Sequence, residues 1–369
     1  FQVLEFNRFN TGSVHQMFQA AVGLKERGHD VTIISRPGSA LETETIAAGV
    51  RFRGLPLRHQ FDIASIVGMR KLVRELRPDV IHVHKGKAHA IALAATFRAP
   101  VGAFVVNRGV SFALDLWNRG KYRTRRVDRV VTVCRQIKDV IVKTGKLPDG
   151  KVDVVYAGTD VNVFDPAKHD PRDFRREKGI PDDRFLIAQV GMRDWKGWKE
   201  LTDAVAYVAR RHDRAHLILI GNIDVAPEVR EYARSRGVED RVTPVEYRAD
   251  MPNVFASCDL VVDASWAGTG ITGTIREAMA LEKPVIATNA GGNDELITSS
   301  DVGWLIPMRD HDALVRAIEE VITNPQRSAE VGRNARRHVV KGYSKELRID
   351  RLEELYSSIL RAKGAEEGR

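Results

Sequence analysis

LVVDASWAGTGITGTIREAMALE, residues 260–282, carries the architecture of this chain in the order of its residue types. An apolar, β-branched run, Leu260–Asp263, enters a loop bearing Gly268, Gly270 and Gly273, and a helical pattern begins near Thr274. Small residues in such a turn let backbone N–H groups approach an anion at the helix N-terminus, where the macrodipole adds attraction. The amides of Gly270, Ile271, Thr272 and Gly273 are the candidates for that cradle. The string GTGITG fits the G-x-G-x-x-G pattern of dinucleotide binding, but that fingerprint belongs on the first βα turn of a sheet. Here it follows about the fourth strand of its series. Glu277 sits one turn inside the helix, facing the loop, where a carboxylate can accept both hydroxyls of a sugar diol. A plain complement to the helix dipole is the competing reading.

Outward from this unit, short apolar runs alternate with amphipathic stretches. Strands are expected at 2–6, 31–35, 80–84, 101–106, 129–133 and 152–156, then at 185–190, 216–220, 241–245, 260–263, 285–288 and 303–306. Continuous apolar strands separated by helices mean parallel sheets covered on both faces. Two such series mean two doubly wound α/β domains, expected at 1–165 and 166–343. The stretch 160–184, rich in Pro, Asp and Lys, reads as a hinge linker. Within 344–369, a helix over 344–362 with Leu347, Leu352, Leu355 and Leu360 is expected to cross back toward the first domain, with a disordered tail from Gly364.

With 369 residues the chain has room for two domains. No apolar run approaches the ~20 residues of a membrane span. The opening FQVLEF has no charged region ahead of an apolar one, so no signal peptide is expected. Two cysteines, Cys134 and Cys258, cannot make a disulfide framework, and a reducing cytoplasm is the expected setting. The charge is unevenly spread: residues 1–160 hold 26 Lys and Arg against 14 Asp and Glu, a net of +12, and the remainder nets −3. A basic first half suits an anionic surface or an acidic substrate; motifs for nucleic acid are lacking, and none is expected as a partner.

The run TGTIREAMALEKPVIATNAGGNDELI and the following VGWLIPMRDHDALVRAIEEVI closely resemble the retaining glycosyltransferases of family 4, the group 1 transferases. Their E-A-M-A helix, K-P-V-I-A-T strand, G-G-x-x-E turn and G-x-L-I-P strand match Glu277–Ala280, Lys283–Thr288, Gly291–Glu295 and Gly303–Pro307. LKERGHDVTII, RPDVIHVH, VVYAGTDVNVFDP and LILIGN fit the family in the same order, so the resemblance covers nearly the whole chain. It implies the GT-B fold, two Rossmann-like domains facing each other across a cleft.

The resemblance also assigns roles. Arg193 and Lys196, in GMRDWKG, look like the cationic pair that grips the donor diphosphate; fixed cations stabilise the charge a leaving nucleoside diphosphate gains. The family places its Arg directly after the Gly, where Met192 stands. Gly12, Ser13, Gly191, Gly221, Asn222, Tyr247 and Arg248 are implied to line the donor pocket, with Glu277 on the ribose. Eight residues before Glu277 the family carries a Glu on the donor sugar; here Thr269 replaces it. Where the family often has a His after its fourth strand, this chain has Asn107 and Arg108, which are placed at the reaction centre. His82 and His84 share a strand face; His82 reads as core and His84 as a donor contact near the strand end.

Asp310-His311-Asp312 spells D-x-D, but its position at a helix start reads as an N-cap, and no metal or cofactor is expected. The first domain is implied to bind the acceptor. Trp117, Lys121, Tyr122, Arg123, Arg125 and Arg126 are expected to form a surface for a glycan or lipid-linked acceptor, or for an anionic membrane. The expected activity is transfer of a sugar from a nucleotide diphosphate sugar to an acceptor hydroxyl with retention. The acceptor is expected to be a cell-surface glycan or glycolipid precursor such as lipopolysaccharide. The expected location is cytoplasmic, peripheral on the inner face of the membrane. Three alternatives stay open: a non-catalytic nucleotide-sugar-binding protein of the same fold, a sugar-nucleotide epimerase and an NAD-dependent oxidoreductase.

Overall fold

The computed structural model describes residues 1–5, 12–99, 101–267 and 270–367, except for the side chains of Trp117 and of 365–367. The chain divides into two compact units, 1–158 together with 345–369, and 159–344. In the first, the described strands are β1 (Gln2–Val3), β2 (Thr32–Ser35), β3 (Arg51–Gly54), β4 (Val80–Val83), β5 (Ala103–Arg108), β6 (Arg129–Thr132) and β7 (Val152–Val154). They form one parallel sheet in the order β3-β2-β1-β4-β5-β6-β7. In the second, β8 (Phe185–Val190), β9 (Ala215–Gly221), β10 (Val242–Glu246), β11 (Leu260–Asp263), β12 (Val285–Thr288) and β13 (Trp304–Ile306) form a parallel sheet in the order β10-β9-β8-β11-β12-β13. Each unit is thus a doubly wound α/β fold.

The central strands are buried along their whole length. All seven residues of β9 and all four of β11 and β12 are buried, which is why they read as unbroken apolar runs. The strand absent from the sequence expectations is β3. Its RFRG pattern is half exposed and pairs only with β2, so it lacks the apolar signature of a central strand. Helices close both faces. In the second unit Trp198, Leu201 and Val205 of the helix Trp198–Val208 pack with Leu314 and Ile318 of the helix His311–Thr323. Asp310 caps the latter, accepting from the Ala313 amide at 2.8 Å, as its sequence position suggested.

Three expectations about the chain's ends and joints are corrected. The stretch 160–184 is no bare linker. It belongs to the second unit and contains the helix Asp173–Lys178, whose Arg175 is buried and bonds to Ser257 O, Arg184 O and Asp259. The last helix runs Lys345–Glu367, beyond the point where a disordered tail was expected. Its buried stripe is Ile349, Leu352, Tyr356 and Ile359, packed on the first unit's core with Met17 and Leu24. Of the four leucines expected on that stripe only Leu352 is fully buried, because the helix is rotated to present Ile349 and Tyr356 as well.

Candidate functional site

In an open α/β sheet, ligands bind outside the carboxyl ends of the strands where the strand order reverses. In the second unit that point lies between β8 and β11. Asp263 ends β11 there, 2% exposed. One carboxylate oxygen accepts from Ser265 Oγ at 2.5 Å and the other from Thr272 Oγ1. Thr272 also gives its amide to Asn293 Oδ1 at 3.2 Å, and Asn293 gives Nδ2 to Thr288 O at 3.1 Å. Thr288 in turn donates its hydroxyl to Ser265 O. Both described stems of the loop after β11 are therefore bolted to β11 and β12 through buried polar side chains. Each satisfies a group that burial would otherwise penalise.

The same carboxylate reaches the cationic turn after β8. Lys196 Nζ lies 3.7 Å from Asp263 Oδ1. Lys196 and Thr272 therefore share one acid, which sets the lysine beside the turn that opens the helix Gly273–Ala280. Gln189 stitches the two loops together: its Oε1 accepts from the Ala264 amide at 3.1 Å and its Nε2 donates to Lys196 O at 3.1 Å. Trp266 donates its amide to Trp195 O at 3.0 Å and its Nε1 to Asp194 O at 3.1 Å. Gly197 permits this approach. Its φ is +72°, and a Cβ there would lie 2.1 Å from Ala264 O. Arg193 is exposed, and the Arg193 and Lys196 cations lie 5.9 and 5.1 Å from the Trp195 ring centre. Arg309, not nominated from sequence, stacks over Trp266 at 3.9 Å.

Glu277 is half-buried one turn inside its helix, and burial raises its pKa, partly offset by the neighbouring Arg276. A Cβ on Gly273 would stand 3.8 Å from Glu277 Oε1, so the glycine keeps the space above the carboxylate narrow but open. Gly191 and Gly221 are buried at the ends of β8 and β9, where a Cβ on either would crowd Lys196 or Met192. Asn222 is exposed and caps a short turn through Asp224 N. Tyr247 is 49% exposed, its amide on Gly221 O at 3.0 Å. Arg248 is different: it pairs with both oxygens of Glu177 at 2.6 and 2.7 Å and both of Asp250 at 2.7 Å. That guanidinium is committed within the protein, and only its backbone remains as a pocket wall. Gly268 and Thr269 lie outside the described residues.

In the first unit the expected residues part company. Gly12 and Ser13 open the helix Gly12–Glu26. His84 is corrected as a donor contact: it is 5% exposed, its Nε2 is 2.6 Å from Gln2 Oε1, and its ring stacks on His82 at 4.3 Å. Burial, with Arg348 and the N-terminus nearby, takes its pKa down to about 3. His82, with Nδ1 2.6 Å from Tyr356 Oη, is a core residue as expected. Asn107 is 8% exposed and its Oδ1 has no partner among the described residues; Arg108 gives Nη2 to Phe112 O at 2.7 Å. The expected basic surface over 117–126 does not hold as one face. Tyr122 is 3% exposed, its ring edge-on to His89 at 4.8 Å. Arg126 bonds Leu93 O and Thr96 Oγ1 at 2.6 and 2.7 Å, Lys121 turns to Gly86 O at 3.3 Å, and Arg123 and Arg125 stay exposed. The Trp117 side chain lies outside the described part. Among the described residues no group of three or more His, Cys, Asp or Glu gathers as metal ligands would.

Asp263, Gln189, Thr288 and Asn293 escaped the sequence reading. The one available signal was an acid closing an otherwise apolar strand, LVVD. Residues 170–338 match the family model of glycosyl transferases group 1, and residues 11–163 match that of glycosyltransferase family 4. The chain is 23% identical over 311 residues to the UDP-Gal:alpha-D-GlcNAc-diphosphoundecaprenol alpha-1,3-galactosyltransferase of Escherichia coli, covering 80% of this chain and 79% of that one. Its fold is similar to that of a glycosyltransferase from Rickettsia africae ESF-5, with TM-score 0.88, 21% identity and 98% of both chains covered. It is also similar to Anabaena Alr3699/HepE in complex with UDP, with TM-score 0.84, 21% identity and coverage of 97% and 99%. These likenesses share the GT-B fold.

Proposed function

This chain belongs to the group 1 glycosyltransferases, and we propose on that footing that it moves a sugar from a nucleoside diphosphate sugar to an acceptor hydroxyl with retention of anomeric configuration. The observation that carries the reading is Lys196, held by Asp263 beside the Thr272 turn. A cation and helix-end amides converge where a leaving diphosphate gains charge, and pre-oriented groups there stabilise the transition state. Arg193 and Lys196 hold the diphosphate, the amides of Gly270–Gly273 cradle it, and Glu277 takes the ribose hydroxyls. The acceptor hydroxyl attacks from the face the leaving group vacates. No protein nucleophile and no metal are needed, because the fixed cations neutralise the departing group.

The donor is a UDP-sugar in this reading, since UDP and UDP-sugar names accompany the relatives and fold neighbours. The acceptor is a glycan or lipid-linked precursor of the cell surface. No helix among the described residues is long and apolar enough to cross a membrane. A peripheral site at the inner membrane face is supported instead by Phe61, Ile63 and Val67, which are 71%, 74% and 62% exposed. Ile63 and Val67 share their helix, Ile63–Leu76, with exposed Lys71 and Arg74. Apolar and basic side chains on one helix suit an anionic lipid surface. The test of the activity is incubation with a panel of nucleotide sugars and glycan acceptors, following nucleotide release and the anomeric configuration of the product by NMR. A product of inverted configuration, or bound nucleotide with no turnover across the panel, refutes it.

A further inference from the structure

Arg309 has a left-handed backbone, φ +57°, in the loop between β13 and the helix His311–Thr323. A residue with a Cβ is strained there, whereas glycine is not. Arg77 and Lys146 share the conformation, but each closes a helix, its amide bonding back to Val73 O or Val142 O. Arg309 closes none, since the next residue, Asp310, is the cap that starts a helix. The backbone on either side is fixed. Ile306 O accepts the Asn289 amide at 2.8 Å, and Asp310 Oδ1 accepts the Ala313 amide at 2.8 Å. Strain that no cap explains, held between fixed elements, directs attention to the side chain it presents.

That side chain is exposed, and its Cζ lies 3.9 Å from the centre of the Trp266 ring. The approach is closer than the 5.9 and 5.1 Å at which Arg193 and Lys196 face Trp195. Trp266 is half-buried and ties together the two loops of the candidate donor site. Its amide donates to Trp195 O at 3.0 Å and its Nε1 to Asp194 O at 3.1 Å. Lys196 follows directly in the first of these loops, and Asp263, 3.7 Å from Lys196 Nζ, stands three positions before Trp266 in the second. The stack therefore adds a third loop, the one after β13, to the pair that carries Lys196 and the Thr272 turn.

We infer, on the reading of Lys196 as the cation of the donor diphosphate, that Arg309 is a positioning residue of the donor site. It acts through Trp266, holding the turn of Lys196 against the loop after β11 without touching the donor. A planar guanidinium over an indole face restrains the ring against the swing that would break its two bonds to Asp194 and Trp195. With those bonds in place Lys196 is set before the diphosphate arrives. Without them, part of the binding energy goes into ordering the loops. An exposed cation–ring contact corresponds to about three- to fivefold in an equilibrium constant, which is the loss of UDP affinity expected when the stack is removed.

The test pairs hydrogen exchange with UDP titration on the full chain. Mass spectrometry follows exchange in segments 194–197 and 264–267 without nucleotide, and calorimetry measures UDP affinity. Arg309→Gly removes the stack and relaxes the backbone at φ +57°, so a loss of affinity is not a loss of fold. Arg309→Lys keeps the charge but not the plane. Faster exchange in both segments and three- to fivefold weaker UDP binding are expected in Arg309→Gly, with Arg309→Lys between it and wild type. The Arg309→Gly/Trp266→Leu double variant should lose no more than Trp266→Leu alone, since both act through one contact. Weaker binding with unchanged exchange, or additive losses in the double variant, would put Arg309 on the nucleotide itself and overturn the inference. Faster exchange with unchanged affinity, or no change in either, overturns it as well. Wild-type protein that binds no UDP, or binds it no better than Lys196→Ala, refutes instead the donor reading and takes the inference with it.

Discussion

Gly197→Ala tests whether the close approach of the two second-unit loops is what fixes Lys196. The glycine has φ +72°, and an alanine Cβ would meet Ala264 O at 2.1 Å, Ala264 C at 2.8 Å and Ala264 Cβ at 3.0 Å. Two of these atoms are backbone, so no rotamer change relieves the overlap. A left-handed conformation costs a non-glycine residue about 1 kcal/mol or somewhat more, and overpacking in a closed site adds roughly 1–3 kcal/mol. The sum is about 3 kcal/mol. At about 2.1 cal/mol/K per residue, a unit of roughly 190 residues has an unfolding entropy near 0.4 kcal/mol/K, so its Tm falls by about 8 °C. Gly179→Ala is the control in the same unit: its φ is +63° and nothing lies within 4 Å of its Cβ. It carries the conformational cost alone, about 2–3 °C. Scanning calorimetry resolves the two values, and UDP affinity follows in parallel, weakened in Gly197→Ala and held in Gly179→Ala. If Gly197→Ala costs no more than Gly179→Ala and binds UDP equally well, the two loops are not in contact and the reasoning fails.

Lys196→Ala is expected to lower kcat by about 10²–10³, the usual loss when one fixed transition-state charge is removed; a change under threefold in single-turnover assays refutes the assignment. Glu277→Gln should raise the donor KM while leaving kcat nearly unchanged, because a ribose contact is made equally in ground and transition states. Acid should unfold the first unit before the second. His84 and His89 are buried with pKa values near 3, and His82 is also lowered, all chiefly by desolvation. Each stays neutral when folded but takes a proton when unfolded below about pH 6.5. The stability each provides is therefore intact above that pH and lost as pH falls toward 3, at about 1.4 kcal/mol per pH unit. The second unit has His216, with a pKa near 4, and His338, lowered by burial without a comparable depth of enclosure. Calorimetry at pH 7 and pH 5 should show the first unit's transition dropping further, and equal drops would contradict this. Finally, Phe61→Ser with Val67→Ser should reduce sedimentation with phosphatidylglycerol vesicles by several-fold, and unchanged sedimentation would rule out that face.

The layered fold was legible because burial writes itself into composition. β8, β11 and β12 are enclosed on both faces, and their expected limits agree with the structure residue for residue. Where enclosure ends, legibility ends: β3 carries arginines at alternate positions and left no such trace. The candidate donor site was read only in part. Lys196, Glu277 and the Gly270–Gly273 turn were visible as residue types in a strand–loop–helix setting, while the acid that organises them was not. A single Asp in LVVD says nothing of a lysine 67 positions earlier or a threonine nine positions later until the sheet brings β8 beside β11.

Charge shows the same division most plainly. Local sequence sufficed to count the cations of the first half and to place them near strand ends, since charge number and periodicity are properties of neighbours along the chain. Which cations stay available for a ligand is a question about partners in space. Arg248 is consumed by Glu177, 71 positions away, and Arg126 by carbonyl and hydroxyl groups about 30 positions away, whereas Arg108 keeps a buried Nε without an acceptor among the described residues. A guanidinium's chemistry depends on the acceptors packed around it, and only folding brings those acceptors within hydrogen-bonding reach.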